Sequence, residues 1–359
     1  MQTEILIIGQ GISGTMLSWF LHKAGKSFLV IDQENPGSPT GVAAGVMNPV
    51  TGRKFVTTWM IDTILPFAVQ AYSDMETFLD RKFLFRKDII DIFPNAQMRD
   101  AFATRITEND TYLHSYPDQN HFNRYLHQEY GCGQIKPAYT TDLHALTGSW
   151  RQYLKEKRLL LDESFSNDLL EVHANTITYK DIRAEKIIFC DGNASMNYPW
   201  FQNLPFSPSK GEALIIESED LTNEHIFKKS MTIVPLSRQH TFWVGSSFQW
   251  KYTEPGPTPA FREATKNYLD GWLKVPYRIV DHKAALRPST LERRPFVGFH
   301  PRWGNVGILN GMGTKGTSLS PFFAHQLVQH LLSGADITKE ASIDRFHRIL
   351  SDPAYIRKK

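Results

Sequence analysis

The chain has 359 residues, of which 41% are hydrophobic and 21% are charged, and this composition describes a globular protein with a large buried core. The length favours two domains over one. The net charge of +3 is too small to indicate a nucleic acid partner, and no apolar run reaches the roughly 18 residues of a membrane span. Cys132 and Cys190 predict no disulfide framework, and the first residues lack the pattern of a signal peptide, so we expect a cytoplasmic protein.

The first thirty residues contain a strand, a glycine-rich turn, a helix and a second strand. The apolar run Glu4–Ile8 predicts a strand that is buried on both faces. The turn Gly9–Gly14, with the sequence GQGISG, follows it directly. Apolar residues at helical spacing then predict a helix that ends at Gly25, and Phe28–Ile31 predicts the next strand.

This spacing is typical of a dinucleotide site. Gly9 permits the tight turn, Gly11 lets a pyrophosphate approach the backbone, and Gly14 lets helix and strand pack closely. The helix N-terminus offers N–H groups and a partial positive charge to the same anion. Asp32, at the end of the second strand, is placed to accept hydrogen bonds from a ribose. The predicted contacts are Gly9, Gly11, Ile12, Ser13, Gly14, Asp32 and Gln33. The pattern does not distinguish FAD from a nicotinamide cofactor.

Three later segments favour FAD, and the first is a loop of small residues at Thr40–Gly45. A nicotinamide-binding domain would normally continue into another helix and strand at this point. A loop of small residues can instead pass close beside a large flat ring, although an ordinary surface loop would have the same composition. The predicted contacts here are Ala43, Ala44, Gly45 and Met47.

The second segment is a buried strand at Ile187–Phe189 that ends in Cys190, Asp191 and Gly192. Such a strand is expected to return to the dinucleotide sheet in parallel and to turn beside the cofactor. The residues just upstream, 164–182, alternate in the manner of a small antiparallel layer. A strand around Phe165 is expected to lend backbone groups to the adenine.

The third segment lies near the end of the chain. Val306–Leu309 predicts a strand, and a glycine run and a helix follow it. Ser320 and Pro321 indicate a helix start, with Gly316 as the earlier alternative, and Gly334 predicts the end. Lys315 and the helix N-terminus would stabilise the negative charge of a reduced flavin. The predicted contacts are Gly311, Met312, Gly313, Thr314, Lys315 and Gly316.

These motifs, in this order and with "LRPSTLERRPFVG" between the last two, resemble the D-amino-acid oxidase family of FAD-dependent oxidoreductases, such as glycine oxidase and sarcosine oxidase. The resemblance implies an α/β fold with α+β elements. In it a Rossmann-like FAD-binding domain is interleaved with a substrate domain built on a large antiparallel sheet, to which 210–218, 231–236 and 241–248 would belong. The expected FAD-binding segments are 1–75, 140–205 and 295–359, and the expected substrate-domain segments are 76–139 and 206–294.

The resemblance also implies a substrate-binding residue. The Arg-Pro pair places Arg287 where the family holds a substrate carboxylate, and a guanidinium suits that role because it binds a carboxylate with two parallel hydrogen bonds. A structural salt bridge is the alternative role. Some relatives tether FAD through a cysteine near the glycine run, but Cys132 and Cys190 lie elsewhere, so we expect non-covalent FAD.

The resulting prediction is an enzyme that oxidises a C–N bond of a small amino or imino acid by hydride transfer to flavin N5, with O2 as the acceptor and no metal. Arg287 and Lys315 are the predicted catalytic residues. Oxidation of a hydroxy acid or of glycerol phosphate, a tRNA-modifying oxidase and a non-catalytic flavoprotein are the alternatives. The sequence does not indicate the oligomeric state.

Overall fold

A computed structural model describes residues 1–108 and 111–352. Within them, contacts divide the chain into two compact units whose segments alternate along the sequence. Unit 1 comprises Met1–Gly41, His144–Ser209 and Leu286–Lys359, and unit 2 comprises Val42–Leu143 and Lys210–Ala285.

The helices and strands are numbered in chain order. The α-helices are α1 Ile12–Lys23, α2 Pro39–Val42, α3 Ile61–Leu79, α4 Ala96–Thr107, α5 Leu143–Glu156, α6 Pro259–Trp272, α7 Gly316–Ser333 and α8 His347–Ser351. The strands are β1 Gln2–Ile8, β2 Phe28–Ile31, β3 Val46–Met47, β4 Val50–Thr51, β5 Val56–Thr57, β6 Leu84–Arg86, β7 Ile89–Ile92, β8 Leu113–Ser115, β9 Cys132–Ile135, β10 Tyr139–Thr141, β11 Leu160–Leu161, β12 Leu170–Val172, β13 Ile177–Tyr179, β14 Ile182–Phe189, β15 Ser209–Glu217, β16 Ile226–Lys228, β17 Thr232–Pro235, β18 Thr241–Gly245, β19 Arg278–Arg287, β20 Phe296–Phe299 and β21 Val306–Asn310.

Unit 1 is built on an eight-stranded sheet with a parallel centre. The parallel strands lie in the order β11-β2-β1-β14-β21, and β20 adds to β21 in antiparallel orientation. The first half of β14 pairs with the antiparallel β13 and its second half pairs with β21. Strand β2 and the last three residues of β1 and of β14 are apolar and buried, as expected where both faces of a sheet are covered. Their carboxyl ends meet at one edge, where ligands bind in folds of this kind.

Unit 2 is built on a second eight-stranded sheet, in the order β19-β15-β18-β17-β16-β7-β9-β8. The pairs β15–β18, β18–β17, β17–β16, β7–β9 and β9–β8 are antiparallel, and the pair β16–β7 is parallel. Helix α6 contributes Phe261, Leu269 and Trp272 to the core of this unit, where they join side chains such as Leu214 and Val244. A smaller three-stranded sheet pairs β3 with β10 and β10 with β6.

The fold class predicted from the sequence is confirmed, and so are the strand Phe28–Ile31 and the helix stop at Gly334. Three details are different. Helix α7 begins at Gly316, so the predicted start at Ser320 is wrong and the alternative start is right. The predicted strand around Phe165 is wrong, since this residue lies between β11 and a short 3-10 helix. The loop at residues 40–45 contains the last residues of helix α2.

Residues 42–75, which the sequence analysis assigned to the FAD-binding domain, lie in unit 2. The assignment of FAD to one domain and substrate to the other stays a prediction. Over residues 1–108 and 111–352, the structure contains no helix that is long and apolar enough to cross a membrane.

Candidate active site

The turn after β1 is closed by direct backbone contacts. Gly9 has a φ of +95°, and its N–H donates to the carbonyl of Ile31 at 2.9 Å. A Cβ on Gly9 would lie 2.8 Å from the carbonyl oxygen of Cys190, and a Cβ on Gly14 would lie 1.9 Å from the carbonyl oxygen of Gly9. No side chain fits at either position. The two glycines therefore fix the turn against the end of β14.

Helix α1 starts within this turn, at Ile12. Its N-cap residue is Gly11, which has no side chain to cap the helix. The hydroxyl of Thr40 accepts a hydrogen bond from the N–H of Ile12 at 3.0 Å. A Cβ on Gly11 would lie 3.2 Å from that hydroxyl. Thr40 thus contacts the turn, although the sequence analysis assigned no ligand contact to it.

Asp32 lies at the carboxyl end of β2 and is held by two donors. The N–H of Gln10 donates to Oδ1 at 2.8 Å, and Arg151 donates to Oδ2 at 2.6 Å. Burial raises the pKa of Asp32, while these two hydrogen bonds act in the opposite direction. The next residue, Gln33, accepts a hydrogen bond from the hydroxyl of Ser164.

The end of β14 is a buried polar site. Burial raises the pKa of the Cys190 thiol, and it raises the pKa of the Asp191 carboxyl to about 6. Ser195 donates to Asp191 Oδ1. The amide of Asn310 donates to the carbonyl of Gly192 at 2.8 Å and to Ser195 at 3.0 Å. These bonds connect the end of β14 to the end of β21.

The glycine run after β21 forms the second turn of unit 1. Gly311 has a φ of +76° and Gly313 a φ of +57°, which are conformations that favour glycine. The side chain of Asn310 accepts the N–H of Gly311 at 2.8 Å. Lys315 is the N-cap residue of α7, and its side chain makes no capping hydrogen bond.

The loop that begins at Arg287, the last residue of β19, packs against both strand ends. Asn193 donates to the carbonyl of Leu286 at 2.7 Å, and the N–H of Gly313 donates to the carbonyl of Pro288 at 3.2 Å. Burial lowers the pKa of the Arg287 guanidinium. Burial and the nearby charge of Arg294 lower the pKa of Lys315 to about 8.

Helices α1 and α7 join the two turns. The hydroxyls of Ser13 and Ser320 lie 3.3 Å apart, and a Cβ on Gly316 would lie 3.2 Å from the side chain of Ile12. The predicted residues that unit 1 brings together at these turns are Gly9, Gly11, Ile12, Ser13, Gly14, Asp32, Cys190, Asp191, Gly192, Arg287, Gly311, Met312, Gly313, Lys315 and Gly316. Thr314 belongs to the same run and is exposed.

The other predicted contacts have different surroundings. Phe165 lies in unit 1, where its ring stacks on Tyr179 with a centroid distance of 5.1 Å. Ala43, Ala44, Gly45 and Met47 lie in unit 2. Gly45 has a φ of +68°, and a Cβ there would lie 1.9 Å from the carbonyl oxygen of Thr141. The pairing between β3 and β10 therefore already explains this glycine.

The residues of unit 1 that touch predicted contacts without being predicted themselves include Gln10, Thr40, Arg151 and Asn310. Gln10 and Asn310 each lie within or beside a glycine motif, so their positions carried a usable signal. Thr40 was placed in the loop of small residues without a role. Nothing in the local sequence relates Arg151 to Asp32, because 119 residues separate them.

Comparison with known proteins agrees with this architecture. A family model described as FAD dependent oxidoreductase (DAO) matches residues 4–330. The fold is similar to that of glycine oxidase from Geobacillus kaustophilus, with a TM-score of 0.78 and 16% identity over 94% of this chain and 96% of that one. It is also similar to iminodiacetate oxidase from Chelativorans sp. BNC1, with a TM-score of 0.74 and 17% identity over 94% and 99% of the two chains. For L-proline dehydrogenase from P. horikoshii the TM-score is 0.75, with 16% identity over 97% and 98%.

At these identities the solved structures establish similarity of fold, and the family match carries the assignment. It covers both glycine turns, the strands that precede them and the loop that begins at Arg287. The chain is therefore a member of the DAO family of FAD-dependent oxidoreductases.

Proposed function

We propose that this enzyme oxidises the C–N bond of a small amino or imino acid, with non-covalent FAD bound in unit 1 and O2 as the electron acceptor. The observation that carries the proposal is the position of Arg287. This half-buried cation is held, through the backbone on either side of it, at the ends of β14 and β21, where unit 1 also has its two glycine turns.

The residues of unit 1 fit FAD in three ways. Gly9 and Gly14 permit the tight turn and the close packing of helix on strand, and Gly11 has no side chain to keep a pyrophosphate away from the backbone. The N-cap residues of α1 and α7 make no capping side-chain hydrogen bond, so the helix N-termini suit anions, apart from the N–H of Ile12, which donates to Thr40. Asp32 is ordered by two donors and retains lone pairs for a ribose. Both cysteines are buried with raised pKa values, which supports a non-covalent cofactor.

Arg287 is proposed to bind the substrate carboxylate. A guanidinium stays charged when it is buried and offers two parallel N–H donors to the two carboxylate oxygens. The hydrogen bonds from Asn193 to Leu286 and from Gly313 to Pro288 fix the backbone on both sides of it. The substrate is thereby oriented before reaction, which is the main contribution that a protein makes to this chemistry.

Lys315 is proposed to supply positive charge at the other side of the glycine run. Bound FAD provides the two-electron acceptor in this enzyme family, and a cation near its ring system stabilises the charge that develops there. Because burial and Arg294 lower the pKa of Lys315 to about 8, its charge is easily removed by alkaline pH. No residue is assigned as a general base.

The proteins of similar fold support an amino acid substrate. They include glycine oxidase, iminodiacetate oxidase, L-amino acid deaminase and L-proline dehydrogenase. These names include both oxidases and a dehydrogenase, so they do not decide the acceptor. We favour O2 and test it separately.

The first experiment is anaerobic titration of the holoenzyme with glycine, sarcosine, iminodiacetate, proline and lactate, followed by flavin absorbance. We expect one of the amino or imino acids to bleach the flavin and lactate to leave it unchanged. Arg287→Met should raise the apparent Kd for that compound about 100-fold or more, because a charged hydrogen-bonded pair is lost. The Kd for FAD should stay unchanged. Bleaching by lactate alone would indicate C–O oxidation, and bleaching by none would indicate a non-catalytic flavoprotein.

The matched control for Arg287→Met is Arg302→Met, which removes an exposed arginine of unit 1 outside the glycine turns. It should leave the apparent substrate Kd unchanged. The acceptor is tested by mixing reduced enzyme with O2 in a stopped-flow instrument. Rapid return of the flavin absorbance with formation of peroxide supports an oxidase. Return only with an artificial acceptor such as a quinone would establish a dehydrogenase.

A further inference from the structure

Arg151, on helix α5, donates hydrogen bonds to two groups of Asp32. One of its terminal nitrogens donates to the carboxylate Oδ2 at 2.6 Å, and the other donates to the backbone carbonyl of Asp32 at 3.0 Å. Arg151 is 6% exposed. A planar guanidinium bound to both groups at once fixes the direction in which the carboxylate points.

The same guanidinium reaches the first glycine turn through Gln10. It donates to Gln10 Oε1 at 3.1 Å, while the backbone N–H of Gln10 donates to Asp32 Oδ1 at 2.8 Å. The Gln10 amide in turn donates to Thr15 and to the carbonyl of Thr147, both at 3.1 Å. Asp32 and the turn are therefore parts of one hydrogen-bond network that centres on Arg151.

One face of α5 supports this network. Thr147, Trp150 and Arg151 follow each other at the spacing of neighbours on a helix face. The indole N–H of Trp150 donates to Ser18 at 2.8 Å, and Ser18 donates to the carbonyl of Gly14 at 2.7 Å. The helix therefore also reaches the first turn through Ser18, in addition to the connection through Asp32.

The charges around Asp32 make Arg151 important for its ionisation. Two other acids lie near the guanidinium, namely Asp162 at 2.6 Å and Glu34 at 3.9 Å, and Lys155 pairs with Asp162 at 2.6 Å. Burial raises the pKa of Asp32, and Asp162 acts in the same direction. Without Arg151 the carboxyl of Asp32 would be buried beside acids, and its protonated form would be favoured.

We propose that Arg151 is a positioning residue for FAD, which holds Asp32 as an oriented carboxylate that accepts hydrogen bonds from the adenosine ribose. This inference rests on the proposed binding of FAD at Asp32. A carboxylate accepts from two hydroxyls at once, whereas a protonated carboxyl loses acceptor capacity. Arg151 acts through Asp32 and needs no contact with the cofactor.

The test is titration of apoprotein with FAD, followed by flavin fluorescence between pH 6 and pH 8.5. Arg151→Met should raise the Kd at pH 8 about tenfold or more, since a buried charged pair is broken. The Kd of this variant should rise further as the pH falls, while the Kd of the parent protein stays level. Arg151→Lys, which keeps the charge but loses the fork, should raise the Kd with a flatter pH profile. Asp162→Asn is the matched control, because it removes another acid partner of Arg151, and it should change the Kd less than about threefold.

A double-mutant cycle separates positioning from general support of the fold. If Arg151 acts through Asp32, Asp32→Asn with Arg151→Met should bind FAD within about threefold of Asp32→Asn alone. Additive losses would overturn the proposal. If Arg151→Met fails to fold, as judged by circular dichroism, Arg151→Lys decides: a Kd equal to that of the parent protein refutes the proposal. If Asp32→Asn itself binds FAD normally, the Asp32 site fails, and this outcome is distinct from failure of Arg151 alone.

Discussion

The two glycine turns of unit 1 have the same order of strand, turn and helix, but they differ in their contacts and in their charge. Each follows a parallel strand, β1 or β21, and each leads into a helix whose N-cap residue makes no capping hydrogen bond. The first turn is made of backbone contacts between Gly9, Gly14 and the end of β14, and it carries no charged side chain. The second turn uses glycines for positive φ angles and carries Lys315 at the start of its helix.

This difference matches two kinds of negative charge. A pyrophosphate has the same charge throughout a reaction, and backbone N–H groups with a helix N-terminus suffice to hold it. Negative charge that develops only during a reaction is stabilised most effectively by a positive group that is partly shielded from water, such as the half-buried Lys315. We therefore assign binding mainly to the first turn and reactivity mainly to the second.

The largest expected effect comes from a methyl group in the first turn. Gly14→Ala places a Cβ 1.9 Å from a backbone oxygen, so the free energy of unfolding should fall by more than about 3 kcal/mol and FAD binding should be lost. Gly316→Ala, the counterpart in the second turn, meets only the end of the Ile12 side chain at 3.2 Å and should cost about 1 kcal/mol or less. Urea unfolding measures both, and equal losses would contradict the distinction.

Lys315→Met should act on rate and leave binding nearly intact. Anaerobic flavin reduction by substrate should slow about 100-fold, because an electrostatic contact to developing charge is lost. The Kd for FAD should change less than about threefold. Lys315→Arg is the matched control and should retain most of the rate. A larger effect on the Kd for FAD than on the rate of flavin reduction would mean that Lys315 serves mainly cofactor binding, the role proposed for the first turn.

The same lysine predicts a pH profile. Since the pKa of Lys315 is lowered to about 8, the rate of flavin reduction in the parent protein should fall as the pH rises through that value, because the ammonium is lost. After burial, the positive charge of Arg294 is the next cause of the low pKa of Lys315, so Arg294→Met should move this decline to higher pH. Lys315→Met should show no decline in this range. A decline that survives in Lys315→Met would come from another group.

A smaller effect concerns Asp191, which lies between the two turns. Its folded pKa of about 6 is raised above the value of an exposed aspartate, so the folded state binds more protons between pH 4 and pH 6 and stability falls as the pH rises through that range. Asp191→Asn removes this decline, and the variant should gain stability relative to the parent protein on the order of 1 to 3 kcal/mol between pH 4 and pH 6.

Asp162→Asn is a control for the measurement on Asp191→Asn, because its effect on stability should depend on pH in the opposite direction. The pKa of Asp162 is lowered by Lys155 and Arg151, so its contribution to stability is present above the ordinary pKa of an aspartate and is lost as the pH falls. Its removal should therefore cost more at neutral pH than at pH 3. Urea unfolding at several pH values measures both variants. If the stability change caused by each substitution varied with pH in the same direction, the raised pKa of Asp191 would be refuted.

The smallest expected effect concerns the contact between the two helices. Ser13→Ala removes a buried hydroxyl pair at 3.3 Å and should cost about 0.5 to 1.5 kcal/mol in the free energy of unfolding. Ser320→Ala should cost a similar amount. The double variant should lose less than the sum, because no hydroxyl is then left without its partner. Strict additivity would show that the two serines act independently.

The parts of unit 1 that were predictable from the sequence are those with local causes. The turn Gly9–Gly14 follows a buried strand and precedes helical spacing, so its neighbours in sequence define it. The start of α7 does not follow from its local sequence, because Pro321 is typical of a first helical turn, whereas the observed helix begins at Gly316. Phe165 follows the alternation of a strand, but its ring packs among other aromatic side chains.

The role of Arg151 had no local cause. Its partners Asp32 and Gln10 lie 119 and 141 residues away, and only the folded sheet brings them together. The surroundings of Gly45 were unpredictable for the same reason, because the carbonyl of Thr141 that excludes a side chain there belongs to a distant strand. A single sequence identifies the glycine turns, but it does not identify the distant residues that hold them in place in the folded protein.

The strand order of unit 1 also determines when this unit can form during translation. Ile5 of β1 pairs with Lys186 of β14, and Ile187 of β14 flanks Val306 of β21. A ribosome that has just made the first glycine turn must therefore extend the nascent chain through the first segment of unit 2 before β1 can pair with β14, and through the second segment before β14 can pair with β21. During that time β1 has only β2 beside it, and pairing over such long separations is slow. Assembly of unit 1 is therefore an event of the finished polypeptide, and molecular chaperones have their longest opportunity to act on its first strand.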